Sequence, residues 1–297
     1  MTDVSIIIVN YNTCNLTAAC IESIRRHVIS LRYEIIVIDN ASTDGSRAYF
    51  TSLEELTYIY STENVGFGRG NNLGLRYAVG RNILFLNSDT LIEDDSIRVL
   101  SDYLDNHPRV GACGGNLFAP DRTPVQSFMR IYPSIFWEID ELLHSIPTWL
   151  LYRQNRYHNH TDYPLRVAYI VGADLMIPRR ILDQIGGFDP RFFMYYEETE
   201  LCRRIRNAGL EIIVLPDARI IHLEGGSQNN RKLNVWKIKQ MLVSRRLYFQ
   251  ITHTSLYRWF ADQVLYIKIH SRLFCTLFIR KDDHSRWLET LKQYKAL

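Results

Sequence analysis

Along the first 115 residues the apolar positions switch between two periods. Residues 4–9 form a nearly continuous, β-branched apolar run, the pattern of a strand buried on both faces. Over 15–29 the apolar side chains Leu16, Ala19, Cys20, Ile24 and Val28 recur at helical spacing. A second strand follows at 34–39, a second helix at 44–56 after a polar turn, and a short third strand at 57–60. A glycine-rich turn leads into a helix over 68–79, and 83–86 is a fourth strand. Strands this apolar, alternating with helices, predict an α/β domain whose sheet is mostly parallel and covered by helices on both faces.

The pattern then loosens. Residues 116–166 are rich in proline and aromatics and hold no long periodic segment, so they read as an insertion with one short helix near 136–143. A strand is predicted over 167–177, a helix over 179–185, and a second helix over 198–208 closed by Gly209. Short strands fit 212–215 and 219–222. From Asn234 onward the chain is helical in character. The domain reading is a catalytic unit over 1–230, with a nucleotide-binding half at 1–115 and an acceptor half at 116–230, followed by a helical extension at 231–297.

Charge supports a boundary there. The whole chain has 35 Lys+Arg against 32 Asp+Glu, a net charge of +3. Residues 1–230 carry 21 Arg, no Lys and 28 acidic residues, whereas 231–297 carry 14 basic and 4 acidic ones. The first 231 residues therefore lack the lysine of a Walker-A loop, a Schiff base or a kinase-type ATP site. The balance gives no reason to expect nucleic acid as a partner. Five scattered cysteines with no C-x-x-C pair read as reduced thiols in a cytoplasmic protein. No secretory leader or spanning segment is expected. In the extension, Val235, Ile238, Met241, Leu242, Tyr248 and Phe249 fall on one helical face beside Lys237, Arg245 and Arg246. Further on, Trp259, Phe260 and Leu265 mix with Arg258, Lys268, Arg272 and Arg280. This suits a helix on the anionic inner face of a membrane, and equally a helical pair packed on the catalytic domain or a homo-oligomer interface.

Sheets of this kind bind ligands at the carboxyl ends of their strands. Three predicted strands end in Asn10-Tyr11-Asn12, Asp39-Asn40 and Asn87-Ser88-Asp89, which brings carboxamides and carboxylates to one rim. Asp39 can accept from a base or ribose, or cap the next helix. The segment 64–74, with Gly66, Gly68, Gly70 and Gly74, fits G-x-G-x-x-G at no register, which disfavours a dinucleotide site. Its glycines serve either close ligand approach or a tight turn. Asp89 can hold a divalent ion with a second ligand, for which His222 before Glu224-Gly225-Gly226-Ser227 is the best candidate. Glu197, Glu198 and Glu200 open a helix after an aromatic run; acids suit a helix start, but aromatics also give a carboxylate the dry setting of a general base. Glu200 pairs with Arg203 or Arg204.

Taken together, VSIIIVNYN (4–12), VIDNASTDGS (37–46), NVGFGRGNNLG (64–74), FLNSDT (85–90), VGADLMIPRR (171–180), the run 186–209 and IHLEGGS (221–227) resemble, in order, the family 2 inverting glycosyltransferases of GT-A fold. The likeness is greatest to the bacterial rhamnosyltransferase-like branch. It implies a nucleotide pocket from Asn10, Tyr11, Asn12, Asp39, Gly66, Arg69, Asn72, Asn87 and Ser88. It further implies Mg²⁺ or Mn²⁺ on Asp89 and His222, and Glu198 as catalytic base. The chain departs from the family at Asn87, where a D-x-D motif has its first acid, and at Glu197-Glu198, where the E-D motif leaves Glu197 a second candidate. The implied reaction is transfer of L-rhamnose from dTDP-rhamnose, or of a hexose from a UDP-sugar, to a glycan or polyprenyl-diphosphate-linked acceptor in surface polysaccharide or O-antigen synthesis. A nucleotidyltransferase making the nucleotide sugar is one rival, although it would carry Arg or Lys in a glycine-rich loop after its first strand. A silent glycan-binding scaffold is the other, against which the joint presence of Asp89, Glu198 and His222 argues.

Overall fold

The computed structural model describes residues 2–223, 234–277 and 281–297. Strand β1 (Val4–Asn10) leads to α1 (Cys14–His27), β2 (Tyr33–Asn40), α2 (Ser46–Thr51), β3 (Thr57–Ser61), α3 (Phe67–Leu75) and β4 (Asn82–Asn87). Each expected element of this stretch is present, with α2 and α3 shorter than the apolar pattern suggested. There follow β5 (Thr90–Ile92), α4 (Ser96–Asn106), β6 (Val110–Phe118) and β7 (Phe128–Met129). The proline-rich region holds two helices rather than one, α5 (Ile135–Leu142) and α6 (Ile146–Tyr152). The strand expected over 167–177 is interrupted: after β8 (Leu165–Arg166) come β9 (Tyr169–Ile170) and β10 (Asp174–Pro178), separated at 171–173. Next are α7 (Arg179–Ile185), α8 (Glu197–Asn207) and β11 (Glu211–His222), the last a single strand with an irregularity between Leu215 and Arg219 where two strands were expected. The extension forms α9 (Val235–Thr252), α10 (Ser255–Thr276) and α11 (Lys281–Lys295).

Two compact units result. The first, 1–130 with 154–191 and 197–229, contains the sheet, in the order β3-β2-β1-β4-β10-β6-β11-β5, with β8 beside β11. Strands β3, β2, β1 and β4 are parallel, as the two-sided burial of β1, β2 and β4 predicts. Mixed character enters at β10, antiparallel to β4 and β6, and at β5, antiparallel to β11. Ile6, Ile8, Val37, Leu84 and Leu86 are fully buried under the helices. Helix α3 lies close against β1 because it is built on glycine: a Cβ on Gly74 would stand 2.5 Å from an Ile7 methyl. The glycines of 64–74 thus serve packing, plus one left-handed turn at Gly66 (φ 87°). The five cysteines form no disulfide.

The second unit comprises 131–153, 192–196 and 230–297, so α5 and α6 belong with the C-terminal helices. Ser134, Asn234 and Thr254 cap α5, α9 and α10 by accepting from the N–H three residues on. Phe192, Tyr248, Phe249 and Ala261 form one apolar cluster, Leu242, Leu265 and Ile269 another. Between the helices lies a buried ion network. Glu138 accepts from Arg245 Nε at 2.6 Å and from Lys268 Nζ at 2.7 Å. Arg245 also reaches Asp262 at 2.7 Å, and Lys268 reaches Glu141 at 2.9 Å. Arg245 and Lys268, which the helical pattern leaves either beside a membrane face or in a packed helical pair, are both buried. The same holds for Leu242, Tyr248 and Phe249, whose side chains fill the interior. No helix among the described residues is long and apolar enough to cross a membrane.

Candidate active site

The carboxyl ends of β1 and β2 are tied together by their own polar residues. Asn10 is fully buried; its amide donates to Ser42 Oγ at 2.9 Å and its oxygen accepts from the Thr13 and Thr17 hydroxyls. Asn12 takes a left-handed conformation (φ 54°), donates its N–H to Ser42 Oγ and accepts from Thr43 N at 2.7 Å. Tyr11 projects outward between them, 45% exposed. Asp39 is fully buried and uses both oxygens internally, accepting from Ser42 N at 2.9 Å and from Tyr58 O–H at 2.6 Å. Burial, then this hydrogen bond to a carboxylate, pushes the Tyr58 phenol up. Tyr58 escaped the sequence reading. Its signal was available: it pairs with Val37, two residues before Asp39 and therefore on the same face of the sheet.

Two other expected pocket residues serve the chain itself. Asn72 grips Phe188 at both ends of its amide, donating to the Phe188 oxygen at 2.7 Å and accepting from its N–H at 2.8 Å. Arg69 donates to the Pro190 oxygen at 2.5 Å. These bonds hold the 188–190 turn to α3. Gly66 caps the same helix, where its oxygen accepts from Asn40 at 3.2 Å.

Asp89 and His222 do come together. Pairing of β5 with β11 sets His222 opposite Thr90, one residue from Asp89, and Leu223 N–H donates to the Asp89 oxygen at 2.8 Å. Asp89 Oδ1 and His222 Nε2 are 3.3 Å apart, with both side chains largely buried. Asn87 Nδ2 stands 3.5 Å from the same ring nitrogen, and Ser88 Oγ accepts from Thr13 at 3.2 Å. A carboxylate oxygen beside an imidazole nitrogen suits Mg²⁺ or, better, Mn²⁺. His222 Nδ1 is buried without a hydrogen-bond partner among the described residues. No group of three His, Cys, Asp or Glu side chains gathers among those residues, so the donor set fits a two-point anchor whose remaining ligands come from elsewhere. The Glu224–Ser227 turn of the sequence reading lies outside the described residues.

Glu198 lies beside the gap in the 167–177 strand. Asn87 N–H donates to the Ala173 oxygen at 3.0 Å. A Cβ on the adjacent Gly172 would lie 3.9 Å from Glu198 Cβ and 3.5 Å from the Phe67 ring. The two carboxylates differ in setting. Glu197 is buried near Gly68, and its Oε2 has no partner among the described residues. Burial first, and the charge of Glu198 second, hold the Glu197 carboxyl well above the usual carboxylate range. Glu198 is half-buried and accepts from the Thr199 hydroxyl at 3.1 Å; desolvation raises it too, against its hydrogen bonds. Glu200 holds Arg204 at 2.8 Å, and that guanidinium also donates to the Ile185 and Gly187 oxygens. Before them, Tyr195 and Tyr196 are both left-handed (φ 68° and 69°), at a cost of about 1–2 kcal/mol per residue. Asp174 was quoted only as part of a motif, but it is fully buried at the start of β10. It accepts from Gly115 N at 2.5 Å with its other oxygen unpaired, and burial holds its carboxyl well above the usual range.

Comparison with known proteins identifies the family. The family described as glycosyl transferase family 2 matches residues 5–186, and the N-terminal domain of galactosyltransferase matches 154–225. The low-salt glycan biosynthesis hexosyltransferase Agl10 of Haloferax volcanii is 29% identical over 214 residues, 71% of this chain and 64% of that protein. The N-acetylglucosaminyl-diphospho-decaprenol L-rhamnosyltransferase of Mycobacterium tuberculosis is 28% identical over 208 residues, 63% of this chain and 66% of that protein. The matches thus span just under two thirds of these relatives' lengths. Among solved structures, the mannosyltransferase PcManGT of Pyrobaculum calidifontis, in complex with GDP-Man and Mn²⁺, superposes with a TM-score of 0.61 at 17% identity, covering 99% of this chain and 86% of its own. The fold is the expected GT-A arrangement.

Proposed function

The chain belongs to glycosyl transferase family 2, in its rhamnosyltransferase-like branch, and on that premise we propose that it is an inverting sugar transferase. The donor is a nucleotide diphosphate sugar, dTDP-L-rhamnose in first place and a UDP-hexose otherwise. The acceptor is a glycan or a polyprenyl-diphosphate-linked sugar of bacterial surface polysaccharide synthesis. One observation carries the reading: the Asp89–His222 pair stands at the strand ends, 3.3 Å apart, with Glu198 near the Gly172 backbone, next to the Asn87–Ala173 hydrogen bond. The relative named for a diphospho-decaprenol acceptor supports the lipid-linked class.

Glu198 takes the proton of an acceptor hydroxyl, whose oxygen attacks the anomeric carbon as the bond from that carbon to the nucleotide diphosphate breaks. Attack from the face opposite the leaving group inverts the centre. Asp89 and His222 would hold Mg²⁺ or Mn²⁺, which when bound supplies positive charge against the departing diphosphate. Asn10, Tyr11, Asn12, Asp39, Asn87 and Ser88 shape the donor end of the rim, with Gly66, Arg69 and Asn72 fixing its wall. Half-exposure of Glu198 favours it over the buried Glu197 as the base.

A panel of nucleotide sugars with Mg²⁺ or Mn²⁺, read by donor hydrolysis and thermal shift, tests this. One donor should both be hydrolysed and raise the melting temperature. A panel in which none does either, or a Glu198→Gln variant that keeps full activity, overturns it.

A further inference from the structure

On α10 of the second unit the usual distribution of charged and apolar residues is reversed. Helix α10 carries four charged residues, Arg258, Asp262, Lys268 and Arg272, and none is among its exposed positions. Lys268 is buried on Glu138 and Glu141, Asp262 receives Arg245, and Arg272 donates to the Glu141 oxygen. Its outward stripe is instead Leu256, Trp259, Phe260, Ile267 and Phe274, continued past its end by Leu277; Leu256 and Phe274 are each 67% exposed. At 100° per residue these six fall within about 100° of one another, with Gln263 and His270 the polar members of the same face. Helix α5 repeats the arrangement: Glu138 and Asp140 point inward while Phe136, Ile139 and Leu143 are exposed. In α6, Thr148 is buried on Asp140 and Trp149 and Leu150 face out.

An apolar face of this extent on a soluble helix marks an interaction surface. We propose that the outward stripe of α10, with the exposed sides of α5 and α6, lies on the surface of an anionic lipid bilayer. Charge complementarity selects that occupant. The unit's sequence holds 15 basic and 7 acidic residues, and Glu138, Glu141 and Asp262 are already engaged by Arg245 and Lys268, so its remaining charge is a cationic excess. Exposed cations include Lys237, Lys239, Arg286 and Lys295. The stripe is long, about 33 Å at 1.5 Å per residue, and mixes aromatic with aliphatic side chains, which suits a helix in the plane of the headgroups. With no helix among the described residues able to span, the unit lies on the bilayer rather than through it. Trp259 and Phe260 belong to both the sequence-nominated set and the stripe, whereas Leu242, Tyr248, Phe249 and Leu265 of that set are interior.

Flotation of the full chain with vesicles of phosphatidylcholine alone, or with about 30% phosphatidylglycerol, tests the proposal. Binding should favour the anionic vesicles, weaken with salt and fall about tenfold in a Trp259→Ser/Phe260→Ser variant. Cys275, exposed beside Phe274, provides a reading without disturbing the stripe: an environment-sensitive dye there should shift to the blue on anionic vesicles and be quenched by brominated acyl chains. Equal binding to neutral vesicles, or an unshifted and unquenched dye, overturns the proposal. So does a dimer by light scattering that the double variant disperses, since that assigns the stripe to a second copy of the chain. Vesicle binding needs no donor, so its failure leaves the sugar-transfer reading standing, and donor hydrolysis by the variant reports on that reading separately.

Discussion

The two units differ in what their interiors hold besides apolar side chains. In the sheet unit Ile6, Ile8, Leu84 and Leu86 fill the interior and the polar groups gather at the strand ends, where Asp89 and His222 meet. In the helical unit a carboxylate and two cations share the interior with Phe192, Tyr248 and Phe249, and other aromatic side chains, Trp259 and Phe260 among them, face outward. An apolar interior tolerates any arrangement of similar volume, whereas an ion network tolerates only the one that leaves no charge alone. The first design keeps polar residues free for chemistry; the second keeps an apolar surface free for contact.

The sharpest way to break the contrast is at the rim. Asp89→Ala, His222→Ala and Glu198→Gln should each lower kcat by about 10²–10⁴-fold, with melting temperature little changed, in an assay of sugar transfer. Equal losses of stability and activity would mean that these residues are structural. Next comes the network. Glu138→Leu alone should destabilise the chain by about 3–5 kcal/mol in urea unfolding, because it strands Arg245 and Lys268. The triple change Glu138→Leu, Arg245→Met, Lys268→Met should recover most of that loss. A triple variant as unstable as the single one would show that the cost lies in lost packing, as in the sheet unit, where Leu84→Ala should cost about 2–5 kcal/mol.

A smaller effect separates the two glutamates by pH. Burial raises the Glu197 carboxyl, so the folded chain binds its proton more tightly than the unfolded chain does. The stability this confers is present below the ordinary carboxylate range and is lost as pH rises through the unfolded and then the folded value. Glu197→Gln should therefore gain stability over the native chain at about pH 8 and gain none at about pH 4, followed by thermal melts. Glu198 is raised as well, so the acid limb of the rate profile should sit above the usual carboxylate range, with activity falling as that carboxylate is protonated. The smallest effect belongs to the surface: Arg26→Ala breaks an exposed pair with Glu22 and should change stability by under about 0.5 kcal/mol.

How much of this was legible in the chain follows from the same contrast. Strands β1, β2 and β4 are buried on both faces, so their composition alone announces them. The orientation of β10 was not readable, because an apolar strand looks the same in either direction, and the break at 171–173 accompanies a change of partner, from β7 for β9 to β4 and β6 for β10, that no local pattern encodes. Asp89 with His222 was legible through motif order rather than spacing, since 133 residues separate them and only the β5–β11 pairing joins them. Asn72 and Arg69 carried a ligand-like signature yet bind backbone, a distinction that depends on where the 188–190 turn lies. In the helical unit, periodicity reported that the helices have two faces but not which face is inside. Hydrophobicity would assign the wrong one to α10, because a charge counts as outward until its partner is known.

Lys268 gives this architecture a chemical clock. The sheet unit contains no lysine side chain, so amine acylation there has no side-chain target. Among the described lysines of the other unit, Lys268 alone is buried, with its ammonium held by two carboxylates. It should remain unmodified while Lys237 and Lys239 react, and acquire label only as fast as the helices part. Mass spectrometry of a timed acylation would then read the opening rate of one half of the molecule from a single residue.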